Sequence, residues 1–478
     1  MARRSTRSRS ASSRARATTP LPPSSPPPPG DMRTEAPGEF TGRYLVLLRD
    51  DGLNEGLQAL KSAAGLKDVA SAADFADGDV DMKQAGDAEV FVLDKLKVAV
   101  VNADPSQAGA LTAAAADDSA ILAVEPERIM YAMSQIPGLA PPTTLPLQYL
   151  RGYRDAVNNL YAALTSGASG LAEVAAAPGF ADNAQFTWGL QATRVNQSRS
   201  TGRGIRIAVL DTGMDLGHPD FAGRTITSQS FISGEEVQDG NLYGHGTHCI
   251  GTSLGASIPA SSVRRYGCAT GGNIFAGKVL SNAGSGADSG ILAGINWAIT
   301  NQCRIISMSL GAPVGPGEPF SPIYEGVAQR ALQANPGTLI IAAAGNNSRG
   351  LDGQRVEPPR PVSRPANCPS ILAVAAVDSN LGIAPFSDGG INPNGGGVDI
   401  AGPGVNVFSS VPIIRGTHGP LNGTSMATPH VAGIAAMWLE ASGSGTSAQA
   451  LWQLLTGNAL RLTLQSRDVG AGLVQAPI

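Results

Sequence analysis

The sequence predicts an α/β protein with a doubly wound, mostly parallel sheet in its C-terminal part, preceded by a small α+β domain. Two observations support this prediction. From about residue 185 onward, nearly continuous apolar runs alternate with helical segments, which is typical of buried parallel strands joined by helices. Between residues 40 and 133, shorter segments follow the order βαββαβ, which fits a ferredoxin-like plait.

The small domain is predicted from alternating strand and helix signals. Pro105 opens its second helical segment, where proline is favoured because its missing N–H needs no partner. Many unrelated small domains share this order, so it indicates a fold and no function. The predicted strands cover 44–48, 89–93, 98–101 and 121–124, and the predicted helices cover 54–64 and 105–115.

The large domain is predicted from longer apolar runs. Ligands of open α/β sheets bind beyond the carboxyl ends of the strands, so polar residues that directly follow these runs are candidate site residues. The predicted strands cover 205–210, 274–280, 305–310, 339–344 and 371–377, and the predicted helices cover 289–300, 323–334 and 431–439.

Two other segments have compositions that do not favour a packed core. Residues 1–39 are rich in Arg, Ser and Pro and are predicted to be a disordered tail. Residues 134–184 are rich in Pro, Ala and Gly and are predicted to be a linker, with one helix indicated by apolar residues between 147 and 164. The predicted organisation is therefore 1–39 tail, 40–133 small domain, 134–184 linker and 185–478 large domain.

Composition narrows the function classes. A formal charge of -4 predicts neither nucleic acid nor membrane as the main partner, and no apolar run approaches the roughly 18 residues of a membrane span. No apolar region follows the N-terminal arginines, so a signal peptide is not predicted and the location stays open between cytoplasm and leaderless export. The four cysteines, Cys249, Cys268, Cys303 and Cys368, allow three full pairings, and the sequence does not choose among them.

Three distant segments carry the residue types of an activated serine. Asp211 directly follows an apolar strand, His245 lies between two glycines, and Ser425 precedes a buried helix. Each has an ordinary structural explanation, since Asp caps turns, His starts helices and Ser caps helices. Their joint occurrence in the order Asp, His, Ser favours nucleophilic catalysis, because triads on unrelated folds differ in this order.

Three further polar residues bear on the predicted site. Asn346 follows an apolar run and is a candidate donor to an oxyanion, although Gly-Asn-Asn is also a common loop signal. His248 lies one helical turn from His245, but no third ligand is evident, so a metal pair is not favoured. His430 lies in an apolar helix and is expected to be a core histidine.

Residues 185–478 resemble a subtilisin-type serine peptidase of the subtilase family. Within the family, the chain resembles the branch that, like proteinase K, carries a cysteine after the histidine motif. The matching motifs occur in the family order at 209–213 (VLDTG), 245–249 (HGTHC), 309–311 (SLG), 343–346 (AAGN) and 423–430 (GTSMATPH).

The resemblance implies a role for each motif residue. It implies that Asp211 orients His245, which acts as general base and then as general acid. Ser425 would be the nucleophile and Asn346 the oxyanion donor. The residues implied to bind an extended substrate or to line the pocket before the cut bond are Ser309, Leu310, Gly311, Ala343, Ala344 and Gly345.

The same segments bear on specificity. They contain no acidic residue, so an apolar or broad preference is expected. Arg364 stands where the family has an aromatic residue before a cis-proline, which changes the expected wall of the pocket.

Residues 40–133 are similar to the inhibitor-type propeptide of the same family, through 44–48 and 124–126. This resemblance implies a zymogen whose own propeptide assists folding and then blocks the active site. The propeptide normally runs almost directly into the catalytic domain, whereas a longer stretch intervenes here. The maturation cut is therefore expected between Met133 and Phe186.

Cofactor and partner expectations also follow from the resemblance. No cofactor is expected for catalysis, and structural calcium is a family habit for which Asp220 matches one ligand position. The loop at 257–262 lacks the usual asparagine ligands. The expected partners of a monomer are peptide or protein substrates and its own propeptide, without nucleic acid or membrane. Cys249 is expected to be an inert buried thiol, with sensitivity to thiol-binding metals as the alternative.

Two other functions remain open at this level. A peptide ligase or cyclase would use the same acyl-enzyme and resolve it with an amine in place of water. A catalytically silent peptide-binding scaffold would require a missing catalytic residue, and none is missing from the motifs.

Overall fold

The computed structural model describes residues 40–65, 68–74, 88–103, 105–115, 120–133, 179–260, 263–315, 317–350, 352–390, 395–443 and 445–478. The predicted tail at 1–39 and the predicted linker helix lie outside the described residues. Phe40–Ile478 forms one compact unit. None of the described helices combines the length and apolar character that crossing a bilayer requires.

A parallel sheet forms the centre of the large domain, as predicted. Each neighbouring pair of its strands is parallel, and the order is β14-β13-β12-β10-β6-β8-β7. The strands are β6 (Arg206–Asp211), β7 (Ile226–Ser230), β8 (Asn273–Lys278), β10 (Ile305–Met308), β12 (Leu339–Ala343), β13 (Leu372–Val377) and β14 (Ile400–Pro403). The sequence predictions omitted β7, which is a polar edge strand, and β14, which contains Gly and Pro.

The order of strands creates a crevice beside β6. From β6 the chain runs to β7 and β8 on one side of the sheet, and then crosses to β10 on the other side. Ligand sites of doubly wound sheets lie at such a switch point, beyond the carboxyl ends of the strands. Asp211 is the last residue of β6, and Ser309 directly follows β10.

Helices cover both faces of the parallel sheet because successive strand residues point to opposite sides. Ile207 and Val209 pack in the core with α4 and α7, whereas Ala208 and Leu210 pack in the core with α5 and α6. The helices of the large domain are α3 (Trp188–Ala192), α4 (His245–Leu254), α5 (Asp288–Thr300), α6 (Pro322–Gln333), α7 (Thr424–Ser442), α8 (Ala448–Gly457) and α9 (Ser466–Val469).

The N-terminal domain has the strand order of a ferredoxin-like plait. Its central strands are antiparallel in the order β5-β1-β4-β3, and β2 joins β3 in parallel. Its own core lies between this sheet and two helices. The elements are β1 (Phe40–Leu48), α1 (Leu53–Ala64), β2 (Val69–Ser71), β3 (Val90–Leu93), β4 (Val98–Val101), α2 (Pro105–Ala114) and β5 (Ile121–Ala132).

Strand β5 is much longer than the sequence predicted. The prediction ended it at residue 124, whereas the strand continues to Ala132. Its last residues pair with β9 (Ser285–Ala287) and β11 (Leu310–Gly311) of the large domain. The extension was invisible in the sequence because its pairing partners lie more than 150 residues away along the chain. The remaining strands, β15 (Val407–Ser410) and β16 (His418–Leu421), form an antiparallel hairpin.

The other face of the N-terminal sheet packs on α5 and α6. Arg330 of α6 donates to the carbonyl oxygens of Leu48 and Leu96, at 2.8 and 3.0 Å. Gly326 lets the sheet approach this helix, because a Cβ there would lie 2.6 Å from the Cδ2 of Leu47. The absence of a side chain at Gly326 therefore contributes to the fit between the two domains.

We expect Gly326→Val to lower the free energy of unfolding by about 1–3 kcal/mol, because the added side chain overpacks the contact with Leu47. Urea unfolding in a Ser425→Ala background, which removes the predicted nucleophile, measures the effect. Gly109→Ala in α2 is the matched control, since nothing lies within 4 Å of its added Cβ and helix propensity favours alanine. Equal effects of the two substitutions would contradict the packing argument.

Candidate active site

Asp211 and His245 form a direct buried pair at the switch point. The Nδ1 of His245 donates to the Oδ1 of Asp211 at 2.6 Å, and both side chains are almost inaccessible. Asp211 occupies this place because β6 ends there, and His245 because α4 begins there after Gly244 in a left-handed conformation. With Nδ1 holding the proton, the Nε2 atom is the basic nitrogen.

A second layer of hydrogen bonds holds the Asp211 and His245 segments together. The Thr212 hydroxyl accepts from the Gly246 amide at 2.8 Å and donates to Asp239 at 3.0 Å. Asp239 also accepts from the amide and the hydroxyl of Thr247, both at 2.8 Å. The orientation of the imidazole is therefore fixed by neighbours on both segments.

Ser425 lies in the first turn of α7, which begins at Thr424, seven residues before the start predicted at 431. Its hydroxyl donates to the carbonyl oxygen of Ser309 at 3.0 Å, while the Nε2 of His245 has no partner among the described residues. Cys249 contacts both sides of the site, since its Sγ lies 3.4 Å from the Ser425 carbonyl oxygen and 4.0 Å from His245 Nδ1. In unreacted enzymes the serine–histidine hydrogen bond is often long or absent, so this arrangement is compatible with catalysis.

The side chain of Asn346 is oriented by Thr424. The Asn346 Oδ1 accepts from the amide and the hydroxyl of Thr424, at 3.0 and 2.9 Å. The NH2 group of Asn346 is thereby directed into the cleft. There it donates to the carbonyl oxygen of Met133 at 2.7 Å.

Met133 occupies the cleft as a bound peptide would. Its carbonyl oxygen accepts from Asn346 and, at 3.4 Å, from the backbone N–H of Ser425. Its own N–H donates to the Ser309 carbonyl oxygen at 3.1 Å. The two donors to one carbonyl oxygen, beside a serine hydroxyl, have the arrangement of an oxyanion hole.

The strand before Met133 is paired on both of its edges. On one edge, Ala132 and Tyr131 lie opposite Leu310 and Gly311. On the other edge, β5 residues 129–131 pair antiparallel with β9. The predicted backbone edge at 309–311 is thus occupied by a strand, whereas β9 was missed by sequence reasoning. Its only signal was a run of small residues, Gly-Ser-Gly, before α5.

The Met133 side chain packs against a glycine of the large domain. A Cβ on Gly311 would lie 3.0 Å from the Cε of Met133, so the methionine side chain rests against this glycine. Ala343, Ala344 and Gly345 are buried at the end of β12.

The backbone of Arg364 lies next to Gly311, because a Cβ on Gly311 would lie 2.5 Å from the Arg364 carbonyl oxygen. Its backbone pairs with Ala312 next to the cis bond to Pro365, and its guanidinium turns to Glu125 of β5 at 2.9 Å.

The other histidines and the cysteines play structural parts. His248 donates from Nε2 to the Val407 carbonyl oxygen at 2.9 Å, and burial lowers its pKa to about 3. His430 pairs with the Met426 carbonyl oxygen, and burial lowers its pKa to about 4. All four cysteines are buried free thiols, and burial raises the pKa of Cys249 well above the ordinary range.

Asp220 was the one predicted calcium ligand, and its neighbours do not fit calcium. Its Oδ2 accepts from the Tyr266 hydroxyl at 2.6 Å and from His418 Nε2 at 2.7 Å, and its Oδ1 accepts from the Ala260 amide at 2.7 Å. Calcium requires six to eight oxygen ligands, whereas a phenol, an imidazole and an amide N–H surround this carboxylate. Burial acts to raise the pKa of Asp220, but the hydrogen bonds from His418 and Tyr266 lower it to about 2.

Among the described residues, two groups bring three ligand-type atoms within 4.8 Å of one another: Asp211 with His245 and Cys249, and His218 with Asp220 and His418. The first group contains the hydrogen-bonded pair of Asp211 and His245. In the second, both nitrogens of His218 are engaged, with the Thr417 carbonyl oxygen and the Asp220 amide. Neither group has the open coordination positions of a metal centre.

The comparisons with known proteins all point to the same family. The model of the subtilase family matches residues 202–472, which is more than half of the 478 residues. Subtilisin E from Bacillus subtilis (strain 168) is 38% identical over 262 residues, covering 54% of this chain and 62% of that protein. Subtilisin from Bacillus pumilus is 38% identical over 262 residues, and subtilisin Savinase from Lederbergia lenta is 38% identical over 266 residues. These matches cover 54% and 55% of this chain, and 86% and 87% of those proteins. The chain spans less than two thirds of the length of subtilisin E.

We expect Tyr266→Phe to lower the free energy of unfolding by about 1.5–3 kcal/mol at neutral pH, because the buried Asp220 carboxylate loses a donor. The pKa of Asp220 is depressed, so this contribution is present above the unfolded value of 3.8 and is lost as the pH falls toward about 2. Urea unfolding of a Ser425→Ala background at several pH values measures it. Tyr131→Phe, at an exposed position, is the control; a Tyr266 effect that is independent of pH would contradict the assignment.

Proposed function

Because this chain belongs to the subtilase family, we propose that it is a serine endopeptidase that cuts peptide bonds through an acyl-enzyme on Ser425. One observation carries this proposal. The carbonyl group of Met133 accepts from Asn346 and from the Ser425 N–H while its strand pairs on both edges, so a peptide already lies in the cleft as a substrate would.

The chemistry follows from the atoms that surround this carbonyl group. The Ser425 Oγ attacks the carbonyl carbon, and His245 Nε2 takes the hydroxyl proton while Asp211 holds Nδ1–H. The negative charge on the former carbonyl oxygen is stabilised by Asn346 and the Ser425 N–H. His245 then gives its proton to the leaving amine, and the C–N bond breaks. Water repeats the sequence on the acyl-enzyme, which releases the acid and restores the serine.

The N-terminal domain is proposed to be the inhibitor of this site. Its strand β5 fills the cleft, and the buried Glu127 on this strand anchors it. Glu127 accepts from the Ser289 amide at 2.8 Å, at the start of α5, and pairs with Arg43 at 2.7 Å. A carboxylate at a helix N-terminus is favoured by the free N–H groups and the helix dipole. The same strand therefore occupies the active site and holds the inhibitor on the enzyme.

A second carboxylate of β5 strengthens this attachment. Glu125 accepts from Arg364 at 2.9 Å and from the hydroxyl of Ser321, the cap of α6, at 2.6 Å. Asp288 of α5 lies within 3.8 Å of the same guanidinium, and burial raises the pKa of Asp288 to about 6. Arg364 thus serves the contact with the inhibitor, where the family resemblance implied an aromatic residue.

The preferred residue before the cut bond is proposed to be unbranched and apolar. Met133 rests against Gly311 and is nearly inaccessible, at 7% exposure. A flexible thioether chain fits a narrow slot lined by glycine and alanine. A charged side chain in the same slot would lack a described partner among Gly311, Ala343 and Ala344, so its burial is costly.

The bond cut in maturation is proposed to be Met133–Ser134. The carbonyl group that accepts from the two oxyanion donors belongs to Met133, and the bond that follows it is the one that Ser425 would open. The mature enzyme would then begin at Ser134 and keep the predicted linker as an N-terminal extension.

Covalent labelling tests the proposed nucleophile. A fluorophosphonate probe is expected to label the processed wild-type protein, and Ser425→Ala is expected to abolish labelling because it removes the hydroxyl that the proposed reaction uses as nucleophile. Ser442→Ala, in the exposed last turn of the same helix, is the matched control and should label normally. Labelling of the Ser425→Ala protein equal to that of the wild type would disprove the assignment.

Processing tests the proposed bond and the reaction together. Wild-type protein should yield a fragment that ends at Met133 and another that begins at Ser134, by N-terminal sequencing and intact mass. The two masses should exceed the uncut mass by one water, as hydrolysis requires and aminolysis does not. Ser425→Ala should remain uncut, and Met133→Asp should slow the cut at least tenfold because it buries a charge in an apolar slot. A first cut elsewhere between residues 134 and 186 would refute the proposed bond.

A further inference from the structure

A buried carboxylate lies directly behind the segment that carries Asn346. Asp388 follows β13 in the chain, is fully inaccessible, and takes no part in the reaction described above. We propose that Asp388 is a positioning residue that fixes the backbone on either side of the oxyanion donor Asn346. This inference rests on the proposed function, since it assigns a role in the same reaction.

The carboxylate of Asp388 accepts hydrogen bonds from the Asn346 loop and from Ser363. Its Oδ1 accepts from the Asn347 amide at 2.9 Å and from the Ser348 hydroxyl at 2.8 Å. Its Oδ2 accepts from the Asn347 side chain at 2.7 Å and from the Ser363 hydroxyl at 3.3 Å. The carboxylate therefore gathers four donors, and three of them belong to the two residues that follow Asn346.

Asp388 also holds the residue that precedes Asn346. Its backbone N–H donates to the Gly345 carbonyl oxygen at 2.9 Å. Gly345 has a φ of 115° and passes so close that a Cβ there would lie 2.2 Å from the Asp388 Oδ2. Only glycine fits this combination of positive φ and close approach.

The donor is thus held from two directions. Thr424 on α7 accepts from the Gly345 amide and donates to the Asn346 Oδ1, which sets the side-chain amide. Asp388 holds the backbone of Gly345 and Asn347, and it thereby fixes the backbone position from which the Asn346 side chain extends. Oxyanion stabilisation depends on donors that are in place before charge develops, so a shift of the loop weakens catalysis without removing any donor.

The charge state of Asp388 bears on this role. Burial raises its pKa to about 7, against the hydrogen bonds from Asn347, Ser348 and Ser363, which lower it. The charged groups on the surrounding described segments are Arg355, which donates to the Ser387 carbonyl oxygen and pairs with Asp468, and Arg360, which approaches through its backbone. Above pH 7 the ionised carboxylate accepts hydrogen bonds from all four donors. Below pH 7 one of its oxygens carries a proton, and the attachment of the Asn346 loop is weakened.

Kinetics of substituted enzymes test the role. Asp388→Asn keeps one acceptor oxygen, and we expect kcat to fall about tenfold with KM changed less than twofold; Asp388→Ala should lower kcat toward the roughly hundredfold loss of a missing donor. Ser363→Ala removes the 3.3 Å bond to Asp388 and the 3.0 Å bond from the Asn347 side chain but leaves the other three donors to the carboxylate, so it should give a smaller loss with the fold retained. Because Asn does not titrate, kcat of the wild type should decline more steeply below pH 7 than kcat of Asp388→Asn.

The controls distinguish a loss of positioning of Asn346 from a loss of folded protein and from a failure of the proposed function. Each preparation is titrated with the fluorophosphonate probe, so that kcat is referred to reactive sites only. Asp399→Asn is the matched control, since burial also raises the pKa of Asp399 to about 7, but its carboxylate accepts from the Ala373 amide, away from the cleft; its kcat should be unchanged. Unchanged kcat in Asp388→Ala, a loss confined to KM, or identical pH profiles would overturn the inference. A wild-type protein that neither labels nor cuts peptides would instead refute the proposed function.

Discussion

The order of strands in the parallel sheet is the constraint on which the rest of this structure depends. Because the chain leaves β6 toward one side and returns to β10 on the other, the ends of these strands flank one crevice. Asp211 ends β6, Ser309 follows β10, and α7 brings Ser425 to the same place. Helices α4 and α7 pack on one face of the sheet, so His245 and Ser425 reach the crevice from helix starts that the core holds rigidly. The reactive groups are therefore positioned by buried apolar packing far larger than the site itself.

Strand β5 gives the molecule its second organising feature, because it belongs to two domains at once. Its first part pairs with β1 inside the N-terminal plait, and its last part lies between β9 and β11 of the large domain. Within the first part, the Glu127 carboxylate accepts from the Ser289 amide at the start of α5, and the Glu125 carboxylate accepts from the hydroxyl of Ser321, the cap of α6. Because β5 is held in this way, Met133 at its end meets Asn346 and the Ser425 N–H directly, with no loop between the strand and these donors. The strand that completes the plait is thus the same strand that occupies the cleft.

The buried polar groups of this structure fall into two kinds, those with several hydrogen-bond partners and those with an unpartnered atom. Asp220, Asp239 and Asp388 accept several hydrogen bonds each and act as fixed points for loops. At the reactive pair, by contrast, the Asp211 Oδ2 and the His245 Nε2 have no partner among the described residues. Buried polar groups are normally satisfied, so the unpartnered His245 Nε2 needs an explanation, and the proposed reaction gives one because a general base must be able to accept a proton. The carboxylates with several partners fix the positions of loops, whereas the unpartnered Nε2 of His245 is the atom that the proposed reaction uses.

The sequence by itself determined the parts of this protein that depend on local chemistry. The central parallel strands were predicted to within about two residues, because a strand buried on both faces must be a continuous apolar run. The motifs around Asp211, His245 and Ser425 indicated nucleophilic catalysis from residue type and order alone. Only the tertiary structure decided that β5 continues to Ala132 and that Met133 meets Asn346. It also decided that Asp388, rather than any other loop carboxylate, lies behind Asn346, the proposed oxyanion donor. These facts depend on pairings between residues far apart in the chain, and such pairings leave no periodic pattern in the residues that make them.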